Sequence, residues 1–148
     1  MEAERTVALL RKIRHDFGNH LQVLSGYLEL KQPDKVQEYV TKLILALRAE
    51  RTVFETTEGE TTVYLFEQML AARDFGVTLL YKDVQINSIE ALVQANEPIN
   101  SLRPLVQSIK ADDLKVQVVI GTTIEQDIYI EYYSGAFTVN PQRVVIKE

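Results

Sequence analysis

Cysteine is missing from all 148 residues of the chain. That excludes a disulfide framework, a thiolate nucleophile and a thiolate zinc site. No stretch approaches the ~18 consecutive apolar residues that a membrane span requires, so no membrane partner is expected. The opening "MEAERTVALLRKIRHD" lacks the unbroken apolar core of a secretion signal, and a cytoplasmic location is the expectation. There is no basic run, and the net charge is −5. Nucleic acid is therefore a poor candidate for the main partner. Histidine is scarce: there are two, His15 and His20, both inside "IRHDFGNHLQVLSGYLEL".

Hydrophobic residues make up 46% of the chain, enough for a packed core. Charge is uneven. Residues 1–52 hold nine Lys+Arg and seven Asp+Glu, or +2; the remainder hold seven and fourteen, or −7. The basic cluster Arg5, Arg11, Lys12 and Arg14 precedes His15. It suits an acidic protein surface or a phosphoryl group, and equally a solvated helix face.

From Glu4 to Leu30 there is no proline, and Leu10, Ile13, Phe17, Leu21, Leu24 and Leu28 recur at steps of three and four. This spacing predicts an amphipathic helix with one packing stripe. Pro33 suits the first turn of a second helix, marked by Val36, Val40, Leu43 and Leu47 with Tyr39 and Ala46 alongside. A loop this short predicts an antiparallel hairpin. The flanking Leu9, Val23, Tyr27, Ile44 and Leu45 add more apolar surface than one pairing covers. A homodimer completing a four-helix bundle would cover it, as would docking onto the rest of the chain.

With Leu10 at zero on a helical wheel, His15 falls near about 140°, Asn19 near 180°, Gln22 near 120°, Gly26 near 160° and Arg11 near 100°. His15 thus points away from the stripe, with Asn19 one turn on and able to touch the same incoming group. Gly18 and Gly26 each weaken the helix by about 1 kcal/mol relative to Ala. Such glycines either make room for a partner or are simply tolerated. His20, near about 280°, lies at the stripe's edge and is expected to be a packing histidine. An exposed neutral imidazole is a competent nucleophile near neutral pH, and phosphoryl transfer asks mainly for an unhindered nucleophile with charge-neutralising neighbours.

The polar "TTEGETT" at 56–62 suggests a linker, dividing the chain into residues 1–54 and 55–148. Beyond it, Val63–Ala72 and Ile99–Ala111 look helical, with Pro104 in the second. Val77–Val84, "KVQVVIG", "DIYIEYY" and "RVVIKE" look like mostly antiparallel strands. The fold class is α+β: a helical hairpin, then a small α/β sandwich.

Arg14, His15, Asp16, Asn19, Leu21, Gln22 and Gly26 stand in the order of a known motif, Arg-His-Asp/Glu-x-x-Asn followed by a Leu/Gln-rich stretch and a glycine. The segment resembles the phosphoacceptor helix of the sporulation initiation phosphotransferase B family, the SPOB-type histidine phosphotransferases and sensor-kinase dimerisation domains. "IYIEYYSGAF" is similar to a strand and turn of that family's C-terminal domain, most closely at Gly135-Ala136-Phe137. The resemblance implies a dimeric four-helix bundle docking response-regulator receiver domains. It implies a His–Asp phosphorelay with His15 as phosphoacceptor. Asp16 would orient the ring, Asn19 would support the loaded histidine, and Arg11, Arg14, Gln22 and Gly26 would meet the receiver. Mg²⁺ would be supplied by the receiver, and the chain would need no cofactor of its own.

A kinase of this kind also needs ATP-site motifs. Here the matching helix, "SLRPLVQSIKA", has Gln107 where Asn is wanted, and "EYYSGAF" has no Asp before Gly135. No Gly-rich lid follows. The second domain therefore resembles a degenerate histidine-kinase ATPase domain. Phosphotransfer competes with two alternatives: a non-catalytic dimeric module that binds a kinase or receiver, and a fragment of a SPOB-type sensor kinase.

Overall fold

A computed structural model describes residues 2–110 and 113–147. The element order is α1 (Glu2–Glu29), α2 (Pro33–Thr56), α3 (Gly59–Arg73), β1 (Val77–Val84), α4 (Glu90–Ala95), α5 (Ile99–Val106), β2 (Leu114–Thr122), β3 (Ile128–Tyr133) and β4 (Gln142–Ile146). The chain forms two compact units, residues 1–46 and 47–148.

The first unit is the hairpin. α1 ends in a Schellman turn: Gln32 N–H donates to Tyr27 O and Lys31 N–H to Leu28 O, with Lys31 in the left-handed region at φ 56. Pro33 opens α2, where its missing N–H costs nothing. Across the hairpin, Tyr39 Oη lies 2.7 Å from His20 Nδ1, and the Tyr39 ring also meets Tyr27 edge-on.

The expected packing stripe does not face the hairpin partner. α1 contains no buried residue. Its half-covered residues are on a different line that includes Leu9, Asp16, His20, Leu24 and Tyr27. Leu10, Phe17, Leu21 and Leu28 remain 58%, 63%, 51% and 63% exposed. The two lines lie roughly 90° apart around the helix. α2 shows the same arrangement: Val36, Tyr39, Leu43 and Ala46 are half covered, while Val40, Ile44 and Leu47 are exposed, again roughly 90° away. The offset runs in the same sense along both sequences, and the helices are antiparallel. The two exposed lines therefore fall on the same side of the hairpin, as one apolar face.

The second unit begins inside α2. Val53 is fully buried, the Phe54 ring meets that of Phe66 at a tilt of 59°, and Arg73 pairs with Glu50 at 2.7 Å. "TTEGETT" is not a long linker: only Thr57 and Glu58 lie outside helices. Gly59 takes a positive φ of 55° to turn the chain, and Thr57 Oγ1 joins Val53 O to Thr62 Oγ1. α3 is apolar nearly all round and buries Leu65, Met69 and Ala72, as an internal helix does.

The sheet runs β1-β2-β3-β4. The expectation of mostly antiparallel strands holds for β2–β3 and β3–β4. β1 and β2 are parallel, because the chain between them crosses over through α4 and α5. The sequence reading assigned no helix to residues 90–95. α5 stops at Val106, short of the expected end at Ala111, a residue outside the described set, as is Glu148 at the end of the last expected strand. Inward residues of the sheet include Leu79, Val116, Val118, Ile130 and Tyr132, none more than 1% exposed. The opposite face carries Lys115, Gln117, Glu131 and Arg143. There the Tyr129 ring covers Gly121, whose absent Cβ would lie 2.5 Å from it, and Arg143 stacks on the outer side of that ring.

Glu97 is 2% exposed and sits at the start of α5. Its Oε1 accepts the Ser101 N–H at 2.6 Å and its Oε2 lies 2.5 Å from Ser101 Oγ. Ser101 Oγ is 2.6 Å from Tyr132 Oη, which donates to Pro98 O at 2.9 Å. The chain Glu97–Ser101–Tyr132–Pro98 has three oxygen–oxygen links. Ser101 gives both its N–H and its O–H to the Glu97 carboxyl. Burial pushes the Glu97 carboxyl up, opposed by the Ser101 hydrogen bonds. A raised folded pKa means the stabilisation is present in full at low pH and is lost as pH rises through the folded value. Glu97→Gln keeps both hydrogen bonds without a buried charge. It should therefore stabilise the protein at pH 8 and have little effect near pH 4, as measured by urea unfolding at both pH values.

Candidate phosphoacceptor face of α1

The helix backbone alone decides where the motif residues stand. α1 runs through His15 without a break, and 3.6 residues per turn set the azimuths. His15 is 73% exposed at its side chain. Arg11, Asn19 and Gln22 are exposed on the same face, with half-covered Gly26 at its far end. Taking the 1.5 Å rise per residue, this face runs about 22 Å along the helix from Arg11 to Gly26. Arg14, also exposed, is set apart: it lies about 100° from His15 and borders the apolar line.

The His15 ring is held on one side. Asn19 Nδ2 lies 3.4 Å from Nδ1, and Asp16 Oδ1 lies 3.6 Å from the same nitrogen. Both groups address Nδ1. Asp16 projects from the hairpin-facing line and is 35% exposed at its side chain. At 3.6 Å its contact is Coulombic rather than a hydrogen bond. A carboxylate there favours a proton on Nδ1, which places the lone pair on Nε2. Both contacts fall on Nδ1, and the rest of the ring is exposed.

His20 occupies the hairpin line, half covered against Tyr39. This is the packing role its azimuth suggests. Sequence reasoning placed Tyr39 among the packing residues; nothing in the linear order ties it to His20, nineteen positions away. Gln107 is the exposed C-cap of α5. Gly135 is exposed in a loop closed by Asn140, whose side chain bonds Ser134 N–H and Ser134 O. Among the described residues, no group of three or more His, Asp or Glu could hold a metal ion, and no helix is long and apolar enough to cross a membrane.

A Cβ placed at Gly18 or Gly26 would meet nothing within 4 Å. Neither glycine is required by packing inside the chain.

Residues 1–56 match the family model described as the α-helical domain of the SpoOB-type sensor kinases. No curated protein matches the chain.

Since no internal contact needs either glycine, Gly18→Ala should stabilise the protein by about 1 kcal/mol. Gly26→Ala, in the last turn of α1, should add less. Thermal unfolding of the two variants checks both.

Proposed function

From an N-terminal segment, residues 1–56, that belongs to the SpoOB-type sensor-kinase α-helical domains, we propose that the chain is a phosphotransferase of a His–Asp phosphorelay. It moves phosphoryl groups between receiver aspartates through His15. The observation that carries this reading is the exposed imidazole whose Nδ1 faces Asp16 and Asn19 while Nε2 stands free.

The chemistry follows. His15 Nε2 attacks the phosphorus of a receiver's aspartyl phosphate. An N–P bond forms as the acyl P–O bond breaks, and the receiver's aspartate leaves as a carboxylate. The ring then carries its Nδ1 proton and positive charge beside Asp16, with the Asn19 amide as hydrogen-bond partner. In the second half, a carboxylate oxygen of another receiver attacks phosphorus, the N–P bond breaks and the neutral ring returns. No proton need leave the site. Mg²⁺ enters with the receiver, whose acidic pocket holds it. Arg11, Gln22 and Gly26 form the surface on which the receiver sits, and Arg14, at the border with the apolar line, adds positive charge for the receiver's acidic rim.

The same reading includes a homodimer. Each helix of a four-helix bundle meets two neighbours roughly 90° apart, the offset between the covered and exposed lines of α1 and of α2. A second hairpin on the exposed face would bury Leu10, Phe17, Leu21, Leu28, Val40 and Ile44. The bundle axis would then lie between the two lines, and His15 falls within about 20° of the opposite direction. The nucleophile points straight out of the bundle.

The second domain takes no part in nucleotide chemistry in this proposal. Gln107 and the Gly135 turn lack the Asn and Asp that would hold Mg-ATP. Titration calorimetry with Mg-ATP should show nothing tighter than about millimolar. Micromolar binding, or autophosphorylation from ATP alone, would restore the kinase reading.

Two measurements test the core of the proposal. Incubation with a phosphorylated receiver should label the wild type with an acid-labile, base-stable phosphate. His15→Gln should abolish labelling, with stability within about 0.5 kcal/mol of wild type, as for exposed sites generally; Asn19→Ala should slow it. Label persisting on His15→Gln would move the chemistry to His20, and an unlabelled wild type would favour a regulatory module. In sedimentation equilibrium the wild type should have twice the chain mass at micromolar concentration, and Phe17→Glu with Leu21→Glu should give a folded monomer. A wild type still monomeric at hundreds of micromolar defeats the bundle.

A further inference from the structure

A directional contact across the hairpin lies one residue away from Asn19 of the His15 face. Tyr39 Oη and His20 Nδ1 are 2.7 Å apart. The Tyr39 ring centroid is 5.7 Å from that of His20 and 6.4 Å from that of Tyr27. His20 and Tyr27 are seven residues apart, two turns along one line of α1. Tyr39 therefore projects from α2 between two rings of α1, and its hydroxyl is tied to one of them.

This contact fixes something that apolar packing leaves loose. No residue of α1 is buried, and its covered line is made of half-exposed side chains. Apolar burial is non-directional, so it resists rotation of a helix about its own axis only weakly. A hydrogen bond combined with two ring contacts holds both the rotation and the axial register of α1. His15 is five residues before His20, about 140° round the helix. With His20 held toward α2, His15 is held outward. Asn19 precedes His20 directly and lies 3.4 Å from the His15 ring, so the same constraint sets the azimuth of both polar groups.

We propose that Tyr39 is a positioning residue for the phosphoacceptor: through its hydroxyl on His20 it locks the rotation of α1 that presents His15 and Asn19 together. It touches neither His15 nor the transferring group. The proposal deepens the phosphotransfer reading and rests on it for the rate predicted below; the rotation lock itself is read separately.

The test uses the full chain and three variants. Tyr39→Phe removes the hydroxyl and keeps the ring. His20→Leu removes the ring nitrogen that meets the hydroxyl. His20→Gln keeps a polar group for the hydroxyl and serves as the conservative rescue. With a phosphorylated receiver in single turnover, Tyr39→Phe and His20→Leu should each lower the maximal transfer rate about tenfold, the receiver concentration for half-maximal rate should stay within about twofold, and His20→Gln should transfer at close to the wild-type rate. A purely structural role would instead lower the melting temperature and leave the rate of the folded variants intact. The second readout needs no receiver: in ring-labelled histidine NMR, the His15 signals should shift or broaden in Tyr39→Phe and His20→Leu but not in His20→Gln. Unchanged His15 signals overturn the lock, whether or not the wild type accepts phosphate. Changed signals with an unlabelled wild type support the lock and overturn the phosphotransfer reading alone. Wild-type transfer rates in Tyr39→Phe overturn the positioning role.

Discussion

Each helix of the hairpin has two lines to cover and one neighbour within the unit. α1 meets α2 along a half-covered line that includes His20, Leu24 and Tyr27, and leaves Leu10, Phe17, Leu21 and Leu28 in water. Large contiguous apolar patches are uncommon on isolated soluble domains, and here the patches of both helices fall on the same side. That constraint orders the rest of the unit. It sets the side on which a second hairpin would dock and leaves the opposite side for polar residues, including His15. The polar face that holds His15 is what remains once the covered line and the exposed apolar line are set aside.

The second unit solves a different problem. Its sheet has one covered face, and the helices over it are short apart from α3. Three tyrosines are fixed by their hydroxyls: Tyr64 to Leu92 O and Glu97 O, Tyr81 to Leu65 O, and Tyr132 to Pro98 O. Each contributes a large apolar ring to the core and satisfies a backbone carbonyl at its tip. The buried Glu97 belongs to the same pattern, closing the start of α5 through Ser101. Gln68 does likewise, giving its nitrogen to Asn96 and accepting the Ile99 N–H. Among the described residues no buried side-chain nitrogen or oxygen lacks a hydrogen-bond partner. Such networks specify one arrangement of the short helices where apolar packing alone would allow several.

The helices and strands were legible because their signals are local. The 3–4 spacing of α1, the proline at the start of α2 and the alternation in β2 and β3 follow from backbone periodicity. So does the azimuth of His15, because a helical wheel needs no tertiary information. α4 escaped because a six-residue helix carries too little periodicity. In the 56–62 segment two threonines and a left-handed glycine turn the chain in two residues, a matter of particular hydrogen bonds rather than composition. The parallel pairing of β1 with β2 depends on a crossover, and strand direction leaves no mark in residue identity.

The sequence by itself determined which residues share a face of α1 and that Arg11, His15, Asn19, Gln22 and Gly26 stand together there, since a rigid helical repeat converts spacing directly into direction. It could not determine which of the two lines meets α2. One carries Leu10, Phe17, Leu21 and Leu28 and the other mixes Leu9, Leu24 and Tyr27 with Asp16 and His20; both have helical spacing, and a wheel has no outside reference. Only the tertiary structure decided that, through the Tyr39 ring between His20 and Tyr27. The same reason applies to the buried carboxyl of Glu97. Its identity is visible in the sequence, but its raised pKa depends on burial and on the Ser101 hydrogen bonds that oppose it, and both come from the fold.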